Sequence, residues 1–181
     1  ATELTKKFIT FSGGGSPRKQ VVSVEHLLRK SVAAALGGSN LEPEFAFQED
    51  LWSVKADINQ LNQVISAVVT NAREAMAQSG TLKIHAVNHE QGPAADITGL
   101  SMKKGLFVKV SILDQGQGIA AENLAKIFDP YFSTKARGSI KGMGLGLSIA
   151  HSIITRHDGY IQVESPSGAG ARVHIYLPAF R

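Results

Sequence analysis

Three short stretches hold the residue types from which a ligand site can be built. The first is "DQGQGI", Asp114 to Ile119, at the end of a strongly apolar run. A carboxylate there can accept a hydrogen bond from a ligand amino group. Gly116 and Gly118 let the backbone turn sharply and come close to a flat ring. Taken alone, the pattern is as readily a simple tight turn as part of a nucleotide or methyl-donor site. The second stretch is "VVTNAREAM", Val68 to Met76. Asn71 and Glu74 are three apart, so on a helix they share a face. Asn71 stands among Val64, Val68 and Ala75, where an amide is partly buried and needs partners. It is either a core amide satisfied by backbone or an oxygen ligand for Mg²⁺, which favours hard oxygen donors and keeps substrate phosphates in its shell. The third stretch is "KGMGLGL", Lys141 to Leu147, followed at once by an apolar helical pattern. Gly142, Gly144 and Gly146 bracket the entry to a helix, where exposed N–H groups and the macrodipole attract anions. Alone, a flexible loop accounts for them about as well. It is not a Walker loop, whose Gly-x-x-x-x-Gly-Lys-Ser/Thr is absent.

The elements that must position these residues follow from periodicity and punctuation. "QVVS" reads as a short strand, and Ser23 caps a helix that ends at Gly37-Gly38. "LEPEFAFQ" and "WSVKAD" read as strands. Asp57 caps a long helix from Ile58 to about Gln78, closed by Ser79-Gly80. "TLKIHAVN" alternates as a strand, and residues 91–104 read as a loop. "LFVKVSILD" is an apolar strand that ends in Asp114, and "AAENLAKIF" is a short helix. Residues 131–144 are rich in Gly and Lys and read as a mobile loop, before a helix over about Leu145 to Arg156. "YIQVES" and "RVHIYLP" form two strands joined hairpin-fashion by "PSGAGA". Helices interleaved with paired strands predict a two-layer α/β sandwich with a mixed sheet, not the regular alternation of a dinucleotide-binding fold.

Bulk properties narrow the class. The chain has 181 residues, 43% hydrophobic and 19% charged, which suits one globular domain with an appendage. No run approaches the eighteen or so apolar residues that span a bilayer. With no Cys there is neither a disulfide framework nor a thiolate metal site. The net charge of +4 is mild, and the local excess at Lys135, Arg137 and Lys141 suits a bound polyphosphate. Aromatic and basic residues do not interleave, so no nucleic-acid surface is expected. Residues 1–12 carry Leu4, Phe8 and Phe11 at helical spacing and stop at "SGGGSP". They read as the end of a helix whose other half lies elsewhere, giving a division at 1–17 and 18–181.

The order of these features carries more than any one of them. A helix Asn, a strand-end Asp-x-Gly-x-Gly and a Gly-rich helix entry, with "IFDPYFSTK" between the last two, resemble the ATP-binding domain of the GHKL superfamily. Its members include gyrase, heat-shock-ninety chaperones and sensor histidine kinases. "IFDPYFSTK" and "NAREAMAQSGTLKI" single out the histidine kinases, and the resemblance runs over about residues 18–180.

That resemblance implies a catalytic module that binds ATP and Mg²⁺ and passes the γ-phosphate to a His on a separate helical dimerisation domain. Asn71 would bind Mg²⁺, and Asp114 would accept the adenine amine. Gly116, Gly118 and Ile119 would shape the adenine pocket, and residues 131–144 would be a flexible ATP lid. Gly142, Gly144, Leu145 and Gly146 would meet the phosphates, with positive charge from Lys135 and Lys141. Lys135 and Glu74 are the candidates for catalytic assistance. Phe128 and Phe132 would couple the lid to the partner helix. His26, His151 and His157 read as structural rather than as phosphoacceptors. The implied setting is a cytoplasmic module, monomeric alone and dimeric in a longer kinase with any membrane anchor outside this stretch, serving a response-regulator receiver domain. Two positions depart from the family pattern: Ala67 stands where a second Asn or a catalytic Glu is usual, and Ala171 where Thr is common. They disfavour a water-activating ATPase and leave open a degenerate module that binds nucleotide as a gated interaction domain.

Overall fold

The computed structural model describes residues 16–77, 79–92, 101–133 and 144–181. The expected N-terminal helix with Leu4, Phe8 and Phe11 lies outside them, as do Lys135, Arg137, Lys141 and Gly142. The described elements are β1 (Gln20–Val22), α1 (Val24–Leu36), β2 (Asn40–Phe47), β3 (Ser53–Ala56) and α2 (Ile58–Ala75). They continue with β4 (Ser79–Gln91), β5 (Gly105–Leu113), α3 (Ala121–Leu124), α4 (Gly146–Arg156), β6 (Tyr160–Glu164) and β7 (Arg172–Phe180). The long helix ends at Ala75, a little short of the Gln78 expected. The helix over "AAENLAKIF" is only its first turn.

The strands form one seven-stranded sheet in the order β1-β3-β7-β5-β4-β2, with β6 also on β7. Only β2 and β4 run parallel; the other pairs are antiparallel. The sheet is therefore mixed, as the paired-strand pattern predicts. Period-two alternation on β4, β5 and β7 sends Leu82, Ile84, Ala86, Val108, Val110, Ile112, Val173, Ile175 and Leu177 to one face. On that face α1, α2 and α4 pack, joining Leu28, Val32, Leu61, Val64, Val68, Ile149, Ile153 and Ile154 to the same core. The register sets Leu113 of β5 opposite both Lys83 of β4 and Arg172 of β7. Asp114 thus leaves the sheet where β7 enters it.

Helix ends are held by polar contacts. The Arg73 guanidinium donates from Nη1 to the Ala35 carbonyl at 3.1 Å, tying α2 to the last turn of α1. Asp57 accepts from the amides of Asn59 and Gln60 at the start of α2 and from the Arg18 amide. Buried His157 reads as structural in the sequence, and it is: its Nδ1 faces the Ile153 carbonyl at 2.8 Å while Nε2 accepts the Asp57 amide at 3.0 Å. One imidazole thereby joins the end of α4 to the start of α2.

On the opposite sheet face, Met102, Phe107 and Tyr176 form a small separate cluster, with Tyr160 packed on it. Beside it, Ser111 Oγ pairs with His174 Nδ1 at 2.8 Å, and His174 Nε2 lies 3.7 Å from Glu164.

Two groups make stability fall on acidification. Burial and the charge of Lys109 hold His174 below its ordinary 6.5, against the pull of Glu164. Burial works to raise Asp57, but amides of Arg18, Gln60 and Asn59, with His157, outweigh it and hold Asp57 below its ordinary 3.8. In both cases the unfolded chain binds more protons, so stability rises with pH through each window. Urea midpoints are expected to fall first below about pH 6.5 and again below about pH 4. His174→Gln should flatten the upper step and Asp57→Asn the lower. A midpoint independent of pH from 7 to 3 would contradict both assignments.

Candidate functional site

Asp114 is fixed by backbone. Its Oδ1 accepts the Gly116 amide at 2.9 Å and the Ala171 amide at 3.0 Å. Its own amide donates to the Ala171 carbonyl at 2.9 Å. With Oδ1 filled, Oδ2 makes no hydrogen bond among the described residues and stands as a directed acceptor. Ala171 serves here through its backbone, so these contacts do not require the Thr side chain common in similar sequences.

The loop after Asp114 lies against the end of α2. A Cβ built on Gly116 would come within 2.7 Å of the Ala75 Cβ and 2.8 Å of its carbonyl group. No side chain fits there, so Gly116 is required by close approach rather than by turn geometry. One turn back along the same helix face is Asn71, and one more turn back is Ala67. Gly146, the first residue of α4, meets Ala67: a Cβ on Gly146 would stand 3.6 Å from the Ala67 Cβ. Three motifs separated in sequence therefore converge on one stripe of α2, at Ala67, Asn71 and Ala75. Asn71 sits between the two glycine contacts, roughly 6 Å along the helix axis from either end. It is half-buried, and its carboxamide makes no hydrogen bond among the described residues. Among the described residues no backbone group satisfies this amide. Glu74 is half-buried on the turn after Asn71.

The entry to α4 differs from those of α1 and α2. Ser23 and Asp57 cap those helices with side-chain oxygens, whereas Leu145 at the start of α4 offers none. Leu145 is buried, and its carbonyl accepts the Ile149 amide and the Ser148 hydroxyl. The amides of the first turn of α4 are left without a side-chain cap, an arrangement that suits an anion. Gly144 has a positive φ of 66°, and a Cβ there would fall 2.3 Å from the Phe132 carbonyl oxygen. This glycine therefore answers a steric demand from the Phe128–Phe132 segment packed against it. Phe128 also lies against His151 of α4, ring centroids 5.1 Å apart. His151, expected to be structural, sits on the surface of α4 in that ring contact, and exposed His26 follows the cap of α1.

Two features were not read from the sequence. Gly170 and Ala171 bring the β6–β7 connection against Asp114, and Ser165 bonds to Ile119, which is half-buried. Both are long-range pairings within an ordinary-looking Gly/Ser connection.

The site thus offers a fixed acceptor at one end of a helix stripe and an uncapped helix entry at the other. Residues 56–181 match the model of the histidine kinase-, DNA gyrase B- and HSP90-like ATPases. The chain belongs to this family. Over 180 residues it is 34% identical to the sensor kinase CckA of Brucella abortus, covering 98% of this chain and 19% of that protein. It is 32% identical over 182 residues to the sensor protein FixL of Bradyrhizobium diazoefficiens, covering 99% of this chain and 33% of that one. The chain therefore spans a third or less of these relatives. Among solved structures, it matches the catalytic domain of histidine kinase ThkA with a TM-score of 0.66 at 27% identity, over 90% of this chain and 96% of that one. It also shares its fold with full-length ShkA, at a TM-score of 0.73 and 23% identity, over 98% of this chain and 35% of that one. As a member of the family, the chain is an ATP-binding module homologous to the catalytic region of sensor histidine kinases. No helix among the described residues is long and apolar enough to cross a membrane.

The split roles of the Asp114 oxygens give a test. Asp114→Asn keeps Oδ1 for the two amides and replaces the free acceptor with a donor. It is expected to fold normally and to lose about five- to 150-fold in ATP affinity. Asp114→Ala should lose affinity and also about 1–3 kcal/mol of stability, because it orphans both amides. Calorimetry showing wild-type ATP affinity for folded Asp114→Asn would contradict this assignment.

Proposed function

We propose that the chain is the catalytic module of a sensor histidine kinase and that its ATP lies along the Ala67–Asn71–Ala75 stripe. The observation that carries this reading is the convergence of the Asp114 loop and the α4 entry on that stripe, with Asn71 between them. Two polar groups without partners among the described residues, Asp114 Oδ2 and the Asn71 carboxamide, match the two ends of such a ligand. Asp114 accepts the adenine amine; Gly116, Gly118 and Ile119 form the wall of that pocket. The Asn71 oxygen would hold Mg²⁺. The uncapped amides at Leu145 and Gly146 face phosphates, with Gly144 allowing the chain to enter the helix there. Lys135, Lys141 and Gly142, outside the described residues, are assigned to the lid over the phosphates. Lys135 and Glu74 remain the candidates for catalytic assistance. When bound, ATP supplies the phosphoryl group and Mg²⁺ neutralises its charge; the protein's part is to orient and shield.

The nucleophile is proposed to be a His on a helical dimerisation domain joined through residues 1–17, with a receiver domain of a response regulator downstream. A groove of about 480 Å³, lined by Phe128, Pro130, Ser148, His151 and Thr155, lies beside the α4 entry and suits the flank of such a helix. The working form is a dimer of the longer kinase, located in the cytoplasm and anchored, if at all, through other segments; the module alone is a monomer.

Asn71→Ala is expected to reduce ATP affinity in Mg²⁺ and to change it little in chelator, read by calorimetry in both. Equal losses would make Asn71 structural.

Phosphotransfer is tested with labelled ATP, first on this chain and then on the chain joined to the helical domain of the parent kinase. Acid-labile label is expected only in the joined protein, because transfer needs an imidazole in line with the γ-phosphate. Label on this chain alone would overturn the acceptor assignment. ATP binding without label in either would favour a degenerate, nucleotide-gated module.

A further inference from the structure

Ser165 lies just beyond β6, far in sequence from the Asp114 loop, yet one hydroxyl joins the two. Its Oγ accepts the Ile119 amide at 2.7 Å and donates to the Gly170 carbonyl at 2.8 Å. The bond from the Ile119 amide is at the short end of its range, the one to Gly170 is of ordinary length, and the hydroxyl serves as acceptor and donor at once. Its surroundings are closely fitted. A Cβ on Gly118 would stand 2.8 Å from Ser165 Oγ, and one on Gly170 would stand 2.1 Å from the Asp114 carbonyl oxygen. Gly118 and Gly170 both have positive φ, 76° and 71°, which reserves these positions for glycine.

The consequence runs through two chain segments. Gly170 is followed by Ala171, whose amide is one of the two that hold Asp114 Oδ1. Gly116, whose amide is the other, belongs to the same turn as Ile119. The Ser165 hydroxyl therefore pins both segments that donate to Oδ1, one through Ile119 and one through Gly170. If either moves, Oδ1 loses a donor and the carboxylate is free to rotate about χ2. A rotated carboxylate no longer presents Oδ2 in one direction.

We propose that Ser165 is a positioning residue for purine selectivity: it fixes the rotamer of Asp114 so that a six-amino purine is accepted and a six-oxo purine is refused. Ser165 itself touches no ligand. The inference rests on the proposed role of Asp114 as adenine acceptor. It adds that discrimination, and not merely affinity, depends on a hydroxyl outside the family's glycine motifs.

The test compares ATP with inosine triphosphate, which carries a carbonyl where adenine has its amine. Affinities are measured by calorimetry on the wild-type chain and on Ser165→Ala, Ser165→Thr and Ser165→Val. Thr and Val have nearly the same shape and differ in the hydroxyl. The wild type is expected to prefer ATP. Ala and Val should lose about five- to tenfold in ATP affinity with little change for inosine triphosphate, and Thr should restore most of the ratio. A role confined to folding would lower both affinities together. A wild-type chain without preference for ATP would remove the adenine reading itself, and this inference with it. A wild-type preference kept in full by folded Ala and Val variants would overturn only the role of Ser165. Hydrogen exchange on the wild-type chain tests the bond even where the variants do not fold. The Ile119 amide should be protected in the free protein, and exchange there at the rate of an open loop would overturn the proposal.

Discussion

The close approach of two backbone segments to one face of α2 is the constraint on which the rest of the site depends. At Ala75 the approach is made by Gly116, and at Ala67 by Gly146. The contact at Ala75 leaves no room for a side chain on Gly116, whereas the one at Ala67 is ordinary van der Waals contact. Small residues at both positions let the Asp114 loop and the α4 entry converge on Asn71 from opposite ends. The sheet provides the other half of the frame. Antiparallel pairing of β5 with β7 brings Asp114 beside Ala171, so the carboxylate is held by backbone donors whatever side chain stands at 171.

Ala67 gains a second meaning from this packing. By family resemblance it is a missing Asn or Glu. In the fold it is also the floor under the first residue of α4, where the Gly146 backbone comes close enough for an added Cβ to be in van der Waals contact. A longer side chain at 67 would have to turn away from that contact. Loss of a polar group and gain of a close helix contact thus occur at one position. The proposed function leans on the Asp114 and Asn71 geometry, which Ala67 does not disturb.

The frame of this fold is legible in the residues themselves. The three principal helices and the strands of the sheet follow from periodicity, and Ser23 and Asp57 mark helix starts that the structure keeps. Asp114, Asn71 and the Gly-rich entry were recognisable as residue types in order. What local pattern could not supply was why each glycine is a glycine. Gly144 yields to the Phe132 carbonyl, Gly116 to Ala75 and Gly170 to Asp114, and every one of those neighbours belongs to another element. Ser165 is hidden for the same reason. Its partners are 46 and 5 residues away, and a serine in a Gly-rich connection looks like solvated turn. The two-fold use of His157 at a helix junction was likewise visible only as a structural His, not as a bond to Asp57.

The most direct test of the account is a map of which amides respond to nucleotide. In a nitrogen-15 NMR titration of this chain with ATP and Mg²⁺, the expected result is a connected set of shifts. It should include the backbone amides of Gly116, Ile119, Ala171 and Gly146 and the side-chain amide of Asn71, while the Ser111–His174 face of the sheet stays silent. Shifts that leave the Asp114 loop and Asn71 unmoved, or that centre on the Ser111–His174 face, would contradict the placement of ATP along the α2 stripe.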